Sequence, residues 1–253
     1  MSPEYLETRS KRMLAFHKIQ GTEPTVVFLG GFKSEMAGTK ALHLEDWAKQ
    51  NGHSFLRFDY SGHGVSSGVF SDGCIGDWAE DAEEIINRTT TGRLILVGSS
   101  MGGWISCLMA KRMPERVAAL VTIAAAPDFT EDGFWSSFSD QQKREVMDKG
   151  ITFLPSDYGD PYPITRRLIE DGRDHLILRS PFPVDFPVRM LQGDLDQSVT
   201  RETALRLFDH MDGNDIHLSF IKGGDHSLSS SSRTHHESMR HATTWLKGNL
   251  PVE

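Results

Sequence analysis

The chain has 253 residues, 38% hydrophobic and 25% charged, a balance that excludes a disordered or fibrous protein and fits a soluble globular chain of one large domain or two small ones. A net charge of −8 without a concentrated basic stripe argues against a nucleic-acid partner, and no apolar run is long enough for stable membrane insertion. Two cysteines, Cys74 and Cys107, fit a reducing compartment, supply no disulfide framework and lack metal-ligand spacing.

The first twenty residues predict two short strands, over 5–8 and 12–18, forming an antiparallel start. From Thr25 the pattern becomes strand, loop, helix, repeated. Strands are expected over 26–29, 54–58, 94–97 and 118–124, with helices over 39–50, 75–87 and 101–113 between them. The second of these helices carries Trp78, Ala82, Ile85 and Ile86 at helical spacing, and Pro114 stops the third. A strand over 188–191, a helix over 202–210, a strand over 216–221 and a last helix over 233–246 complete the chain. Such alternation predicts an α/β fold: a mostly parallel sheet with helices on both faces and functional loops at the carboxyl ends of the strands.

Residues 127–187 break this rhythm. They hold no convincing strand, six prolines from Pro155 to Pro187, and many aromatics, among them Phe129, Phe134, Trp135, Phe138, Phe153, Tyr158, Tyr162 and Phe182. A structureless loop of that length is improbable, so the stretch reads as a small helical lid inserted into a single domain spanning 1–253. Lid helices are expected near 140–149 and 165–176. Its aromatics either line an apolar substrate pocket or pack the lid onto the main domain, and both readings stay open.

The run Gly98-Ser99-Ser100-Met101-Gly102 follows an apolar strand and precedes a helix. That context is the nucleophile elbow, a sharp turn that strains its central residue and needs small neighbours two residues to either side. Only Ser100 is bracketed by glycine at both positions. Serine at neutral pH needs an adjacent base, and the order expected here is serine, acid, histidine. His226 follows the strand 216–221 and two glycines, and is read as the base. His17 and His63 precede the serine, and His210 and His217 lie in regular structure, so these read as ordinary polar or packed histidines. His235-His236 read as a solvated helix start rather than a metal site.

Asp194 and Asp196 both follow the strand over 188–191. Asp196, further along the loop, is read as the acid and Asp194 as the alternative; Asp225 is suited to holding the turn before His226. The oxyanion donors are read as the backbone N–H groups of Met101 and of Phe32, in the loop Gly30-Gly31-Phe32. Cys107 reads as a small core residue.

With these residues the chain resembles the α/β-hydrolase superfamily over almost its whole length. The matching elements are the elbow, the Gly30-Gly31-Phe32 loop, Asp59-Tyr60-Ser61-Gly62-His63-Gly64-Val65-Ser66, Gly193-x-x-Asp196 and Asp225-His226. The segments 28–41 and 57–62 are more specific. They are similar to the branch of the mitochondrial palmitoyl-protein thioesterase and acyl-glucuronide esterase and its bacterial relatives. The resemblance implies an eight-stranded-type sheet and a serine hydrolase that needs no cofactor. It also implies a small-molecule or acylated-protein substrate carrying a thioester or ester, and favours Asp196 as the acid. Many members carry His-Gly where this chain has Gly30-Gly31, so a side chain that often orders that loop is missing here.

Alternative expectations are a small-molecule carboxylesterase, lactonase or C–C bond hydrolase, and, more remotely, a catalytically silent binding protein on this scaffold. The start Met1-Ser2-Pro3-Glu4 is neither a signal peptide nor an Arg-rich transit peptide. It suggests a cytoplasmic protein, or a mitochondrial matrix protein whose transit segment has been removed.

Overall fold

The computed structural model describes residues 2–155 and 161–228. The helix expected over 233–246, His235-His236 and Tyr158 lie outside the described residues. Eight strands form the main sheet: β1 (Glu4–Glu7), β2 (Met13–Ile19), β3 (Thr22–Leu29), β4 (His53–Phe58), β5 (Leu94–Ser99), β6 (Val117–Ile123), β10 (Val188–Gly193) and β12 (Ile216–Ile221). Their spatial order is β1-β2-β4-β3-β5-β6-β10-β12. β2 runs antiparallel to both its neighbours, and every pair from β4 onward is parallel.

Side-chain alternation builds a core on each face of this sheet. From β3, Val26 and Phe28 enter one core while Val27 and Leu29 enter the other. Helix α1 (Thr39–Asn51) covers the first face with Ala41, Leu44, Trp47 and Ala48. It stops at Gly52, whose φ of 73° is the left-handed cap that a glycine takes without strain. Helices α2 (Ile75–Thr89), α3 (Met101–Arg112) and α6 (Arg201–His210) contribute to the second core, with Trp78 and Trp104 fully buried. α3 is buried along most of its length, which explains why its sequence is apolar all round.

The segment between β6 and β10 departs from the strand-free, helical expectation. It opens with a π-helical stretch over Phe129–Trp135, followed by α4 (Asp140–Arg144), which widens into a π-helical turn over Glu145–Lys149. Then β7 (Ile151–Leu154) pairs antiparallel with β8 (Tyr162–Thr165), and α5 (Arg166–Asp174) follows. A short β9 (Phe182–Pro183) pairs with β11 (Met211–Asp212). No strand is expected in this stretch, yet Pro163 sits in a two-stranded ladder opposite Phe153. There a missing N–H interrupts no wider ladder. α5 is also shorter than the helix expected over 165–176: Thr165 is its cap, accepting the Leu168 N–H at 3.1 Å, and the helix ends at Asp174, where the His175 N–H turns back to Gly172 O.

The two ends of this segment are tied together by one carboxylate. Asp128, fully buried and with φ of 55°, accepts the N–H groups of Ile177 at 2.8 Å and Leu178 at 3.0 Å. Arg179 adds a contact at 3.3 Å.

Leu96 is fully buried in β5, the strand that leads to Ser100. Leu96→Ala is expected to cost about 2–5 kcal/mol of stability in urea unfolding, because the site between two packed layers cannot collapse. A loss within experimental error would contradict the packing described.

Candidate active site

Ser100 stands between β5 and α3 with φ 55° and ψ −119°, a conformation hostile to a residue with a Cβ. Its backbone is fully engaged: the N–H donates to Ile123 O at 3.0 Å, and the carbonyl accepts from Gly103 at 2.9 Å and Ala126 at 3.1 Å. The flanking glycines are required by contact. A Cβ on Gly98 would lie 2.2 Å from the Gly102 carbonyl oxygen, and one on Gly102 would lie 2.0 Å from the carbonyl oxygen of Leu29. The hydroxyl therefore rises at the carboxyl edge of the sheet, beside the positive end of α3.

The ends of β10 and β12 bring two more groups to this edge. His226 Nε2 lies 3.0 Å from Ser100 Oγ, and its Nδ1 lies 2.9 Å from Asp196 Oδ2. A carboxylate only accepts, so Nδ1 carries the proton and Nε2 is left to accept from the serine hydroxyl. Asp196 is buried, and its other oxygen accepts the N–H groups of Ser198 and Val199, each at 2.8 Å. Gln192 Nε2 donates to Asp196 Oδ2 at 3.0 Å and to Val199 O at 2.8 Å. The carboxylate is thus oriented from three sides. Asp194, the alternative acid, faces elsewhere: Lys222 Nζ approaches at 2.7 Å and the Gly223 N–H at 2.5 Å, and the lysine holds its carboxyl below the usual range. Asp225 accepts from Ser227 Oγ at 2.9 Å within the turn before the imidazole.

The loop after β3 reaches the serine from the other side. A Cβ on Gly31 would lie 3.3 Å from Ser100 Cβ. Among the described residues no hydrogen bond takes up the N–H of Phe32 or of Met101. The Phe32 ring sits among Phe70, Phe129, Phe134 and Tyr162 at centroid distances of 4.8, 5.6, 5.9 and 5.8 Å. Aromatics of the β6–β10 segment therefore pack onto this loop, whereas Phe153 is 59% exposed and Phe182 belongs to the core.

Gln192 was not singled out from the sequence. His63, read there as an ordinary polar or packed histidine, is indeed buried, with its Nε2 3.1 Å from the Lys33 N–H and its Nδ1 3.1 Å from Ser61 O. A buried polar side chain at such a place has no periodic signature, so only the fold reveals it. Cys74 and Cys107 are both buried, and burial pushes their thiols up. Among the described residues, no cluster of His, Cys, Asp or Glu is arranged to hold a metal, and no helix is long and apolar enough to cross a membrane.

The chain belongs to the α/β hydrolase family, whose model, described as the alpha/beta hydrolase fold, matches residues 24–162. It is a serine hydrolase of ester or thioester bonds. Its relatives include the human mitochondrial palmitoyl-protein thioesterase ABHD10, 37% identical over 217 residues, which cover 85% of this chain and 71% of that protein. The mouse ABHD10 structure superposes with a TM-score of 0.88 at 32% identity, covering 98% of this chain and 99% of that one. An inferred hydrolase from Agrobacterium vitis S4 does so with 0.90 at 34%, covering 96% and 97%.

Burial lowers the His63 pKa from 6.5 to about 4, against the hydrogen bond to Ser61 O. In an unfolded chain the same imidazole takes up a proton near pH 6.5. As pH falls from 6.5 toward 4, the unfolded state binds a proton that the folded state refuses, and folding loses about 3 kcal/mol in full. Urea unfolding from pH 7 to 5 should therefore show wild-type stability falling more steeply than that of His63→Gln. Parallel profiles would contradict the burial of an uncharged ring.

Proposed function

We propose that Ser100, His226 and Asp196 form a catalytic triad that hydrolyses acyl thioesters through an acyl-enzyme. The support is one imidazole bonded at both nitrogens, to the serine hydroxyl at 3.0 Å and to a buried carboxylate at 2.9 Å. Ser100 Oγ attacks the acyl carbonyl as Nε2 removes its proton. Asp196 keeps the proton on Nδ1 and stabilises the imidazolium that forms. The N–H groups of Phe32 and Met101 hold the tetrahedral oxyanion. His226 then delivers the proton to the departing thiolate or alkoxide. Water, deprotonated by the same nitrogen, releases the acid and restores the serine. No cofactor enters this sequence.

The substrate we propose is a fatty-acylated cysteine of a protein, or a small acyl thioester or ester of similar length. The likeness to ABHD10 supports the palmitoyl-protein reading, and the aromatic cluster around Phe32 suits an apolar acyl group. In this reading residues 127–187 act as a lid over the site of a single domain. The compartment is proposed to be reducing, the cytoplasm or the mitochondrial matrix, in keeping with two unpaired buried cysteines and the mitochondrial naming of the relatives.

Ser100→Ala is expected to lower turnover by roughly 10⁶-fold and to abolish labelling by a fluorophosphonate probe. Asp196→Asn should cost about 10⁴-fold, as loss of the correct imidazole tautomer does elsewhere. Near-normal activity of Ser100→Ala would refute the triad. A panel of S-acyl peptides and p-nitrophenyl esters from acetyl to palmitoyl tests the substrate. Rates rising with chain length fit the proposal, and a preference for acetyl would replace it with a short-chain carboxylesterase.

A further inference from the structure

We infer that His63 is a positioning residue for the oxyanion loop, holding the Lys33 backbone so that the neighbouring Phe32 N–H points to the serine. The inference rests on the triad reading above and deepens it. The loop after β3 leaves the sheet beside Ser100 and carries Lys33 at φ 56°, uncommon for a residue with a Cβ. Such a conformation persists only where neighbours over-determine it. Two contacts from the loop after β4 do this. His63 Nε2 accepts the Lys33 N–H at 3.1 Å, and Asp59 Oδ1 accepts the Met36 N–H at 2.5 Å.

The imidazole is itself fixed. Its Nδ1 donates to Ser61 O at 3.1 Å, and its ring lies edge-on to Phe70 and Trp78, each at 5.1 Å, and to Tyr60 at 5.6 Å. Phe70 and Trp78 also bracket the Phe32 ring, at 4.8 and 5.9 Å. Backbone and side chain of the Phe32–Lys33 pair are thus set against one rigid wall. The hydrogen-bond pattern admits one protonation state. The Lys33 N–H can only donate, so Nε2 must be bare and the ring neutral. Burial supports this by disfavouring the imidazolium, leaving the ring neutral down to about pH 4. Inside the loop, Ser34 N and Oγ donate to Gly31 O at 3.2 and 2.8 Å, but the Lys33 N–H is taken up from outside it, by His63.

An oxyanion donor matters more in the transition state than in the ground state. Loosening its support should therefore lower kcat and leave KM little changed. His63→Asn keeps a donor toward Ser61 but is too short to accept from Lys33. His63→Gln extends an acceptor toward the Nε2 position. His63→Asn is expected to lower kcat about 10–100-fold, short of the 10²–10³ for losing a donor outright, with KM within about twofold. Affinity for a trifluoromethyl ketone, which adds Ser100 Oγ as a tetrahedral adduct, should weaken in parallel, while affinity for the product acid does not. His63→Gln should recover most of both losses. In wild-type enzyme, ¹⁵N spectroscopy should show an unprotonated Nε2 coupled across the hydrogen bond to the Lys33 amide. That measurement decides the matter should the variants fail to fold. Wild-type kcat in folded His63→Asn, or a protonated Nε2, overturns the inference. Ser100→Ala separates the two levels: its retained activity sinks the triad reading, whereas an inactive Ser100→Ala beside a fully active His63→Asn sinks only the role of His63.

Discussion

The arrangement depends on holding Ser100 in a backbone conformation that a serine alone would leave. Strain of this kind costs on the order of 1–3 kcal/mol and must be repaid by the surroundings. Here the repayment is local and dense. Three backbone hydrogen bonds clamp the serine peptide groups, and two glycines let β5, α3 and the end of β3 approach to distances that any Cβ would forbid. Because β5 lies near the middle of the sheet, fully buried and paired on both edges, the strain has no route to relax. The hydroxyl is consequently a fixed point around which looser loops are arranged.

The same sheet explains how groups distant in the sequence meet. Parallel strands deliver their following loops to one edge, so the ends of β3, β5, β10 and β12 share a neighbourhood although they lie far apart in the sequence. What the sheet delivers only approximately, side-chain hydrogen bonds refine. Gln192, the penultimate residue of β10, donates both to the Asp196 carboxylate and to the Val199 carbonyl. It thereby fastens the turn between strand and helix α6 while aiming the acid. The contrast with Asp194 shows how sharply direction is selected: two residues earlier, the same side chain is drawn outward to Lys222 and the Gly223 amide.

Much of this was legible before any coordinates. The parallel strands declared themselves as short apolar runs, and the elbow as a serine between glycines at a strand–helix junction, because both follow from local geometry. Their places after late strands pointed to His226 and to Asp196, with Asp194 as the alternative, and the structure puts His226 within hydrogen-bond distance of Asp196 and Ser100. Residues 127–187 were read poorly. Their hairpin is short, Pro163 suppresses its signal, and the stretch around Glu145–Lys149 widens out of the regular helical period. Gln192 was not read, and His63 was read only as a polar or packed histidine, for a different reason. Gln192 bonds Asp196 and Val199, four and seven residues on, and His63 bonds Lys33, thirty residues back, and neither periodicity nor spacing encodes those partners.

Asp128 carries a consequence for how this architecture can diversify. The carboxylate stands at the start of the excursion from the sheet and grips the amides of Ile177 and Leu178 near its close. The excursion is therefore a ring whose mouth is already shut, and closure entropy grows only slowly with the number of residues inside it. The interior of the ring is not independent of the sheet, because Phe138, Val146, Ile164, Leu168 and Ile169 lie in the same buried core as the strands and Phe129, Phe134 and Tyr162 pack on the Phe32 ring. A single buried acid thus fixes where the excursion leaves the sheet relative to Ile177 and Leu178, so that a change of length inside the ring need not move those two points.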